Sequence, residues 1–150
     1  MKTITVSNGD IQMSSGKIKF STGRQKLIED LQRWLEEPLG TGFTTPGFGS
    51  LLSTYIGTNA SSVYAGSVDS EIIRVLQLYQ GQQVLSLKSA QNAAKLSNWN
   101  KSEIIQNILS VNSIVQGTSI VSTIQLSTLD DNTISLDIYL GNDGVTVQNG

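Results

Sequence analysis

In "STGRQKLIEDLQRWLEEP" the apolar residues Leu27, Ile28, Leu31, Trp34 and Leu35 follow the i, i+1, i+4, i+7, i+8 spacing of one helical face. Thr22 and Gln25 have capping-box spacing, and Pro38 ends the helix because the residue before a proline is pushed out of helical geometry. After a glycine-rich joint, "SLLSTYIG" puts Leu51, Leu52, Tyr55 and Ile56 on one face of a helix of about two turns, with Gly57 placed to cap it. "TNASSVYAGS" reads as a polar loop. From Val68 to about Leu96 a longer helix is expected, with Ile72, Leu76, Tyr79, Leu87, Ala90 and Ala94 on its apolar face and a weak point at Gly81. A third helix is expected from Asn100, where Glu103 has capping-box spacing, through Ile104, Ile105, Ile108 and Leu109.

The period then changes. In "SIVSTIQLS" and "TISLDIYL" apolar residues recur on alternate positions: Ile120, Ile124 and Leu126, then Ile134, Leu136, Ile138 and Leu140. The turn residues of "TLDDNT" join the two runs into a β-hairpin over 119–140, and "VTVQNG" is a third strand or a frayed end. At the other end, "KTITVS" and "GKIKFS" alternate more briefly, so residues 1–20 read as short strands or an extended arm. The fold class is α+β: a single domain over 21–150 in which helices pack on a C-terminal antiparallel hairpin or small sheet. A lone hairpin is marginal, so one face must meet the helices while its edges stay open or meet a partner.

Composition narrows the chemistry. Charged residues make up 15% of the 150-residue chain and the net charge is −2, with no basic run able to neutralise several phosphates at once, so nucleic acid is not an expected partner. Neither cysteine nor histidine occurs, which removes thiolate chemistry and the side chain most used for metal binding and proton transfer. No cofactor, metal or small-molecule substrate is expected. The start lacks the apolar core of a signal peptide and no run is long enough to cross a membrane, so the chain reads as soluble where it is made, without a membrane partner.

The joint "WLEEPLGTGFTTPGFGSLLSTYIG" raises the question of catalysis, because two glutamates sit where the helix breaks. Glycoside hydrolysis needs two carboxyl groups facing each other across a bond, whereas Glu36 and Glu37 are helix neighbours pointing about 100° apart. A partner from Asp69, Glu71 or Glu103 has no support in the sequence. The glycines lack the Lys-Ser or Lys-Thr ending of a phosphate loop and follow a helix, not a strand. Their simpler role is to let the backbone turn and approach closely while Pro38 and Pro46 stiffen it. Trp34 fits the core, and Phe43 and Phe48 fit an interface. No enzyme activity is expected.

The ordered pieces "DIQ" and "GKI", "GRQKLIEDLQRWLEEPLG", "PGFGSLL", "NWNKSEIIQNI" and "STIQLSTLDDNTISLDIYL", spanning residues 10–140, resemble a known family. It comprises the small baseplate wedge proteins of contractile phage tails and related injection machines, called sheath initiators and sometimes labelled lysozyme-like. Many relatives carry an arginine in the joint; none stands between Trp34 and Gly57 here.

The resemblance implies a virion protein of the tail baseplate, made in the host cytoplasm, whose partners are other wedge proteins, the sheath subunit and the tail tube or hub. Glu36, Glu37, Pro38, Phe43, Pro46, Phe48 and Gly49 would form a joint docked on wedge neighbours. Ile120, Ile124, Leu126, Ile134, Leu136, Ile138 and Leu140 would lie on the strands that template the first sheath ring, and deleting 119–150 would leave the helices folded but stop sheath assembly. The alternatives are a cell-wall hydrolase of the tail and an adaptor or tail-completion protein of a different tail machine.

Overall fold

A computed structural model describes residues 1–7, 10–57 and 61–150 of the chain. The fold is α+β, with two helices laid on the inner face of a four-stranded antiparallel sheet. Helix α1, Gly23–Glu36, buries Leu27, Ile28, Leu31 and Leu35, as its periodicity requires. Helix α2 runs Ser62–Asn92, starting six residues before the expected Val68. From Ser62 on, what reads as polar loop is helical, because the Ser61 side chain accepts the Tyr64 N–H and supplies a cap; residues 58–60 of that stretch lie outside the described residues. The buried face of α2 ends at Gln83. Leu87 and Ala90 are half-exposed and Ala94 is exposed, since the last turns extend beyond the sheet.

The expected capping box at Thr22 does not form. The Gly23 N–H is taken instead by Glu103, almost wholly buried, at 2.8 Å; Glu103 also meets the Met1 ammonium at 3.2 Å. A carboxylate eighty positions away does the capping, beyond the reach of any local motif. The two-turn helix expected at Leu51–Ile56 is a single 3-10 turn, Leu52–Tyr55, which buries only Leu52.

The third helix is replaced by a strand. After the short turn Lys101–Glu103, β7 runs Ile105–Gln116 and pairs with β8, Ser119–Thr128. β8 pairs with β9, Thr133–Gly141, and β9 with β10, Gly144–Asn149, giving the order β10-β9-β8-β7. The β8–β9 register sets Ile120 opposite Leu140, Ile124 opposite Leu136 and Leu126 opposite Ile134. These residues, with Ile138, form most of the sheet's inner layer against Leu31, Leu35, Ile72, Val75 and Leu76. The outer face is largely polar, with rows such as Asn112, Thr123, Asp137 and Gln148.

Before α1, six two-residue strands form a three-armed ribbon. β1, Thr3–Ile4, pairs with β6, Phe20–Ser21; β2, Val6–Ser7, pairs with β3, Asp10–Ile11; β4, Met13–Ser14, pairs with β5, Lys17–Ile18. The arms meet at a closed ring of backbone hydrogen bonds: Thr5 donates to Lys19, Lys19 to Gln12 and Gln12 to Thr5, each at 2.9 Å. Ser15 and Gly16, both at positive φ, close the β4–β5 arm as a two-residue turn.

Candidate functional site

The joint after α1 is held by backbone. Ser50 N–H donates to the Glu37 carbonyl at 2.8 Å and Leu39 N–H to the Ser50 carbonyl at 2.9 Å, a short parallel bridge that folds residues 38–50 into a closed loop. The Ser50 hydroxyl donates to the Leu35 carbonyl at 2.6 Å, capping the end of α1. Gly49 makes the closure possible: its φ is +107°, and a Cβ there would lie 2.5 Å from the Glu37 carbonyl oxygen.

Glu71 of α2 ties the end of the loop to the body. Its carboxylate takes the Leu51 N–H at 2.7 Å and a two-pronged contact from Arg74, at 2.6 and 2.8 Å. Burial alone pushes this carboxyl up; Arg74 and the Leu51 N–H more than reverse that and hold it below the ordinary glutamate range.

Of the expected joint residues, Glu37 accepts the Thr41 hydroxyl at 2.6 Å, Phe43 projects fully into solvent, and Pro38 and Pro46 are exposed. Phe48 is half-buried against Trp34, with ring centroids 4.7 Å apart, and Trp34 meets Tyr79 edge-on at 6.0 Å. An open groove of about 650 Å³ runs past these rings, lined by Trp34, Leu39, Pro46, Phe48, Leu78 and Gln82 among others. Gly49 is buried and shapes the loop from beneath.

Glu36 faces away from the groove. Its carboxylate accepts the Val147 N–H of β10 at 2.8 Å, while Gln32, one turn back, donates to the Val147 carbonyl at 3.0 Å. Burial pushes the Glu36 carboxyl above the ordinary range, partly offset by the Val147 N–H. It borders a polar cleft of about 710 Å³ between the ribbon, α1 and β10, which Glu29 and Arg33 also line. Glu29 is engaged by Ser21 at 2.7 Å and Gln25 at 3.0 Å. The other carboxylates weighed as partners are placed elsewhere: Glu71 on Arg74, Asp69 on the Ser113 hydroxyl at 2.5 Å, and Glu103 on Gly23.

The expected template strands are the interior pair of the sheet. β8 lies between β7 and β9, and β9 between β8 and β10, so neither has a free edge. Ile120, Ile124, Leu126, Ile134, Leu136, Ile138 and Leu140 are all buried core. The sheet's edge strands are β10, engaged by α1 at Val147, and β7. At its start, Gln80 donates to the Ile105 and Gln106 carbonyls, while Gln83 donates to the Glu103 carbonyl at 2.6 Å and accepts the Ile105 N–H at 3.0 Å. Beyond the irregularities at Gln106 and Leu109 the ladder is regular from Ser110 to Gln116. The two-residue turn Gly117–Thr118 makes Gln116 and Ser119 a hydrogen-bonded pair, so alternation directs the N–H and C=O of Val111, Ser113 and Val115 outward.

Sequence reasoning did not find Gln32, Ser50, Gln80 or Gln83. Each acts on a backbone group brought near it only by the fold, and its own neighbours in sequence give no signal of that. Among the described residues no cluster of acidic side chains is arranged to hold a metal ion, and no helix is long and apolar enough to cross a membrane. Compared with family models, curated proteins and solved structures, the chain matches none.

Proposed function

We propose that the protein is a structural component of a contractile tail baseplate, joining the wedge to the tube and sheath and templating the first sheath ring by strand addition. The observation that carries this reading is the half-open edge of β7. A regular stretch from Ser110 to Gln116 with outward-facing backbone groups can accept a strand, whose main-chain hydrogen bonds give attachment while alternating side chains set register. The accepting strand is then β7, not the 119–140 hairpin. The ordered resemblance over residues 10–140 supports the same reading, and the closed joint with its aromatic groove suits docking on a wedge neighbour. A weakly charged surface also suits a packed assembly, since few ions need burial.

The test is Val115→Pro, which removes one outward N–H at an edge position where proline is tolerated. The variant should melt within a few degrees of wild type, yet baseplates carrying it should fail to nucleate sheath. Normal sheath on such baseplates would overturn the reading.

One observation favours the hydrolase alternative: Glu36, with its raised carboxyl, borders a polar cleft that also holds Glu29. The two lie seven residues, about 10.5 Å of helix rise, apart on α1, and each carboxylate is already engaged, Glu29 by Ser21 and Gln25 and Glu36 by the Val147 N–H. Cell-wall turnover by the purified protein that disappears in Glu36→Gln would establish the hydrolase instead. An adaptor of a different tail machine would use the same edge on another partner, and only identification of the added strand separates it.

A further inference from the structure

Residues 104–129 contain no Asp, Glu, Lys, Arg or Pro. They build β7 and β8, so the charges and prolines that ordinarily keep an edge strand from pairing with another molecule are missing from this edge. Among the described residues, no backbone hydrogen bond from another element reaches Val111, Ser113 or Val115, whose N–H and C=O point outward. Around them Leu109, Ile114 and Val115 are 53%, 52% and 39% exposed. Val111, Ser113 and Val115 lie opposite the buried Ile124, Ser122 and Ile120, which places their side chains on the inner face of the sheet and leaves Asn112 and Ile114 on the outer face.

The edge is complementary to itself. Ser110–Gln116 reads Ser-Val-Asn-Ser-Ile-Val-Gln, close to a palindrome about Ser113. Two copies laid antiparallel across a two-fold axis at Ser113 would set Val111 opposite the second copy's Val115 and Ser113 opposite its own image. Every outward N–H of Val111, Ser113 and Val115 then meets an outward C=O, and the valines extend the apolar inner layer across the axis. Asn112 falls opposite Ile114 on the outer face. The ladder brings no like charges together because neither strand carries any, and Asp69 of α2 is turned onto the Ser113 hydroxyl of its own chain at 2.5 Å. An edge of this length buries less than the roughly 800 Å² per partner of a long-lived complex, so such a pair forms and separates readily.

We propose that the free protein pairs with a second copy of itself through β7, in the antiparallel two-fold register centred on Ser113, and that this pair occupies the edge until a partner strand displaces it. The inference rests on β7 as the strand-accepting edge, as in the proposed function, but on nothing about a tail. It names what covers that edge beforehand.

Sedimentation of the full chain between about 1 and 200 µM should show a reversible monomer–dimer equilibrium. Register is read with single cysteines, since the chain has none. In the proposed pair Asn112 and Ile114 are directly opposed at a Cα separation of about 4.5 Å, within disulfide range. An oxidised equimolar mixture of Asn112→Cys and Ile114→Cys should therefore cross-link about tenfold or more faster than either variant alone. Asn112→Lys with Ile114→Lys, both on the exposed outer face, keeps every backbone group and sets lysine opposite lysine. It should be monomeric at wild-type Tm, and mixing it with Asn112→Glu plus Ile114→Glu should restore the dimer. A wild-type chain that stays monomeric at the highest concentration, a dimer that survives the double lysine variant, or cross-linking without preference for the mixture would each overturn the proposal. The sheath reading fails separately: normal sheath on Val115→Pro baseplates removes that reading and leaves a self-pair seen in solution standing.

Discussion

The two edges of the sheet are treated in opposite ways. At β10 the outward N–H and C=O of Val147 are both consumed by α1, through Glu36 and Gln32. At β7 two glutamines of α2 close only the first residues, and the stretch after Leu109 is left as a regular strand. An exposed edge invites pairing with another chain, and proteins ordinarily blunt it with charge, bulges or a covering helix. Here one edge is clasped by α1 at its middle residue, Val147, and the other is covered and kinked only at its base. Under the proposed function, that difference is why the added strand is assigned to β7.

The strongest way to break this comparison is to remove the layer between the edges. Deleting 119–150 takes away β8, β9 and β10, including Ile124, Leu136 and Ile138, all fully buried. The helices should then lose their cover and the chain should show no cooperative melt by circular dichroism. This reverses the expectation that the helices would survive alone. Within the intact chain, Leu136→Ala should cost about 2–5 kcal/mol by chemical denaturation.

Gly49→Ala comes next. It forces a side chain into a positive-φ position and onto the Glu37 carbonyl, so the loop that caps α1 must open. A loss of about 2 kcal/mol or more is expected. Because α1 also carries Glu36 and Gln32, hydrogen exchange at Val147 should quicken beyond the global change, which unseals the β10 edge from behind. Unchanged exchange there would mean the joint and that edge are independent.

What the sequence made legible follows from who satisfies whom. α1, β8 and β9 bury one regular face each, so their apolar periods of 3.6 and 2 survive intact in the residue order. β7 hides its strand period because its two irregularities, at Gln106 and Leu109, shift the phase of the apolar residues. Ile104, Ile105, Ile108 and Leu109 then imitate a helical face. The β-branched run from Ile104 to Val115, with Asn and Ser between, was the contrary signal. At the joint, the glycines and prolines announced a shaped backbone, but Ser50 and Glu71 as its clasps were hidden because both act across the fold. The capping of α1 by Glu103 was hidden for the same reason.

Glu71→Ala gives a middle-sized effect, about 1–3 kcal/mol, since the Leu51 N–H and Arg74 both lose a buried acceptor. Its pH dependence has a definite sign. The folded carboxyl is held below its unfolded value, so its contribution is present above the ordinary glutamate range and lost as pH falls through the lower folded value. The gap in Tm between wild type and Glu71→Ala should therefore narrow toward acid. A gap that stays constant would mean that packing of the side chain, not its charge, holds Leu51.

Glu36→Gln is the smallest change and the sharpest probe of the sealed edge. The folded carboxyl is raised above its unfolded value by burial, so ionising it is harder in the folded protein. That penalty is absent below the unfolded range and is fully present once pH has risen through the folded value. Glutamine keeps an acceptor for the Val147 N–H and removes the ionisation. The variant should match wild type near about pH 4 and be equal or slightly more stable at neutral pH, by about 0.5 kcal/mol or less. If it is instead clearly less stable at neutral pH, the negative charge itself anchors β10, and the edge is held by a charged hydrogen bond that a neutral amide cannot replace.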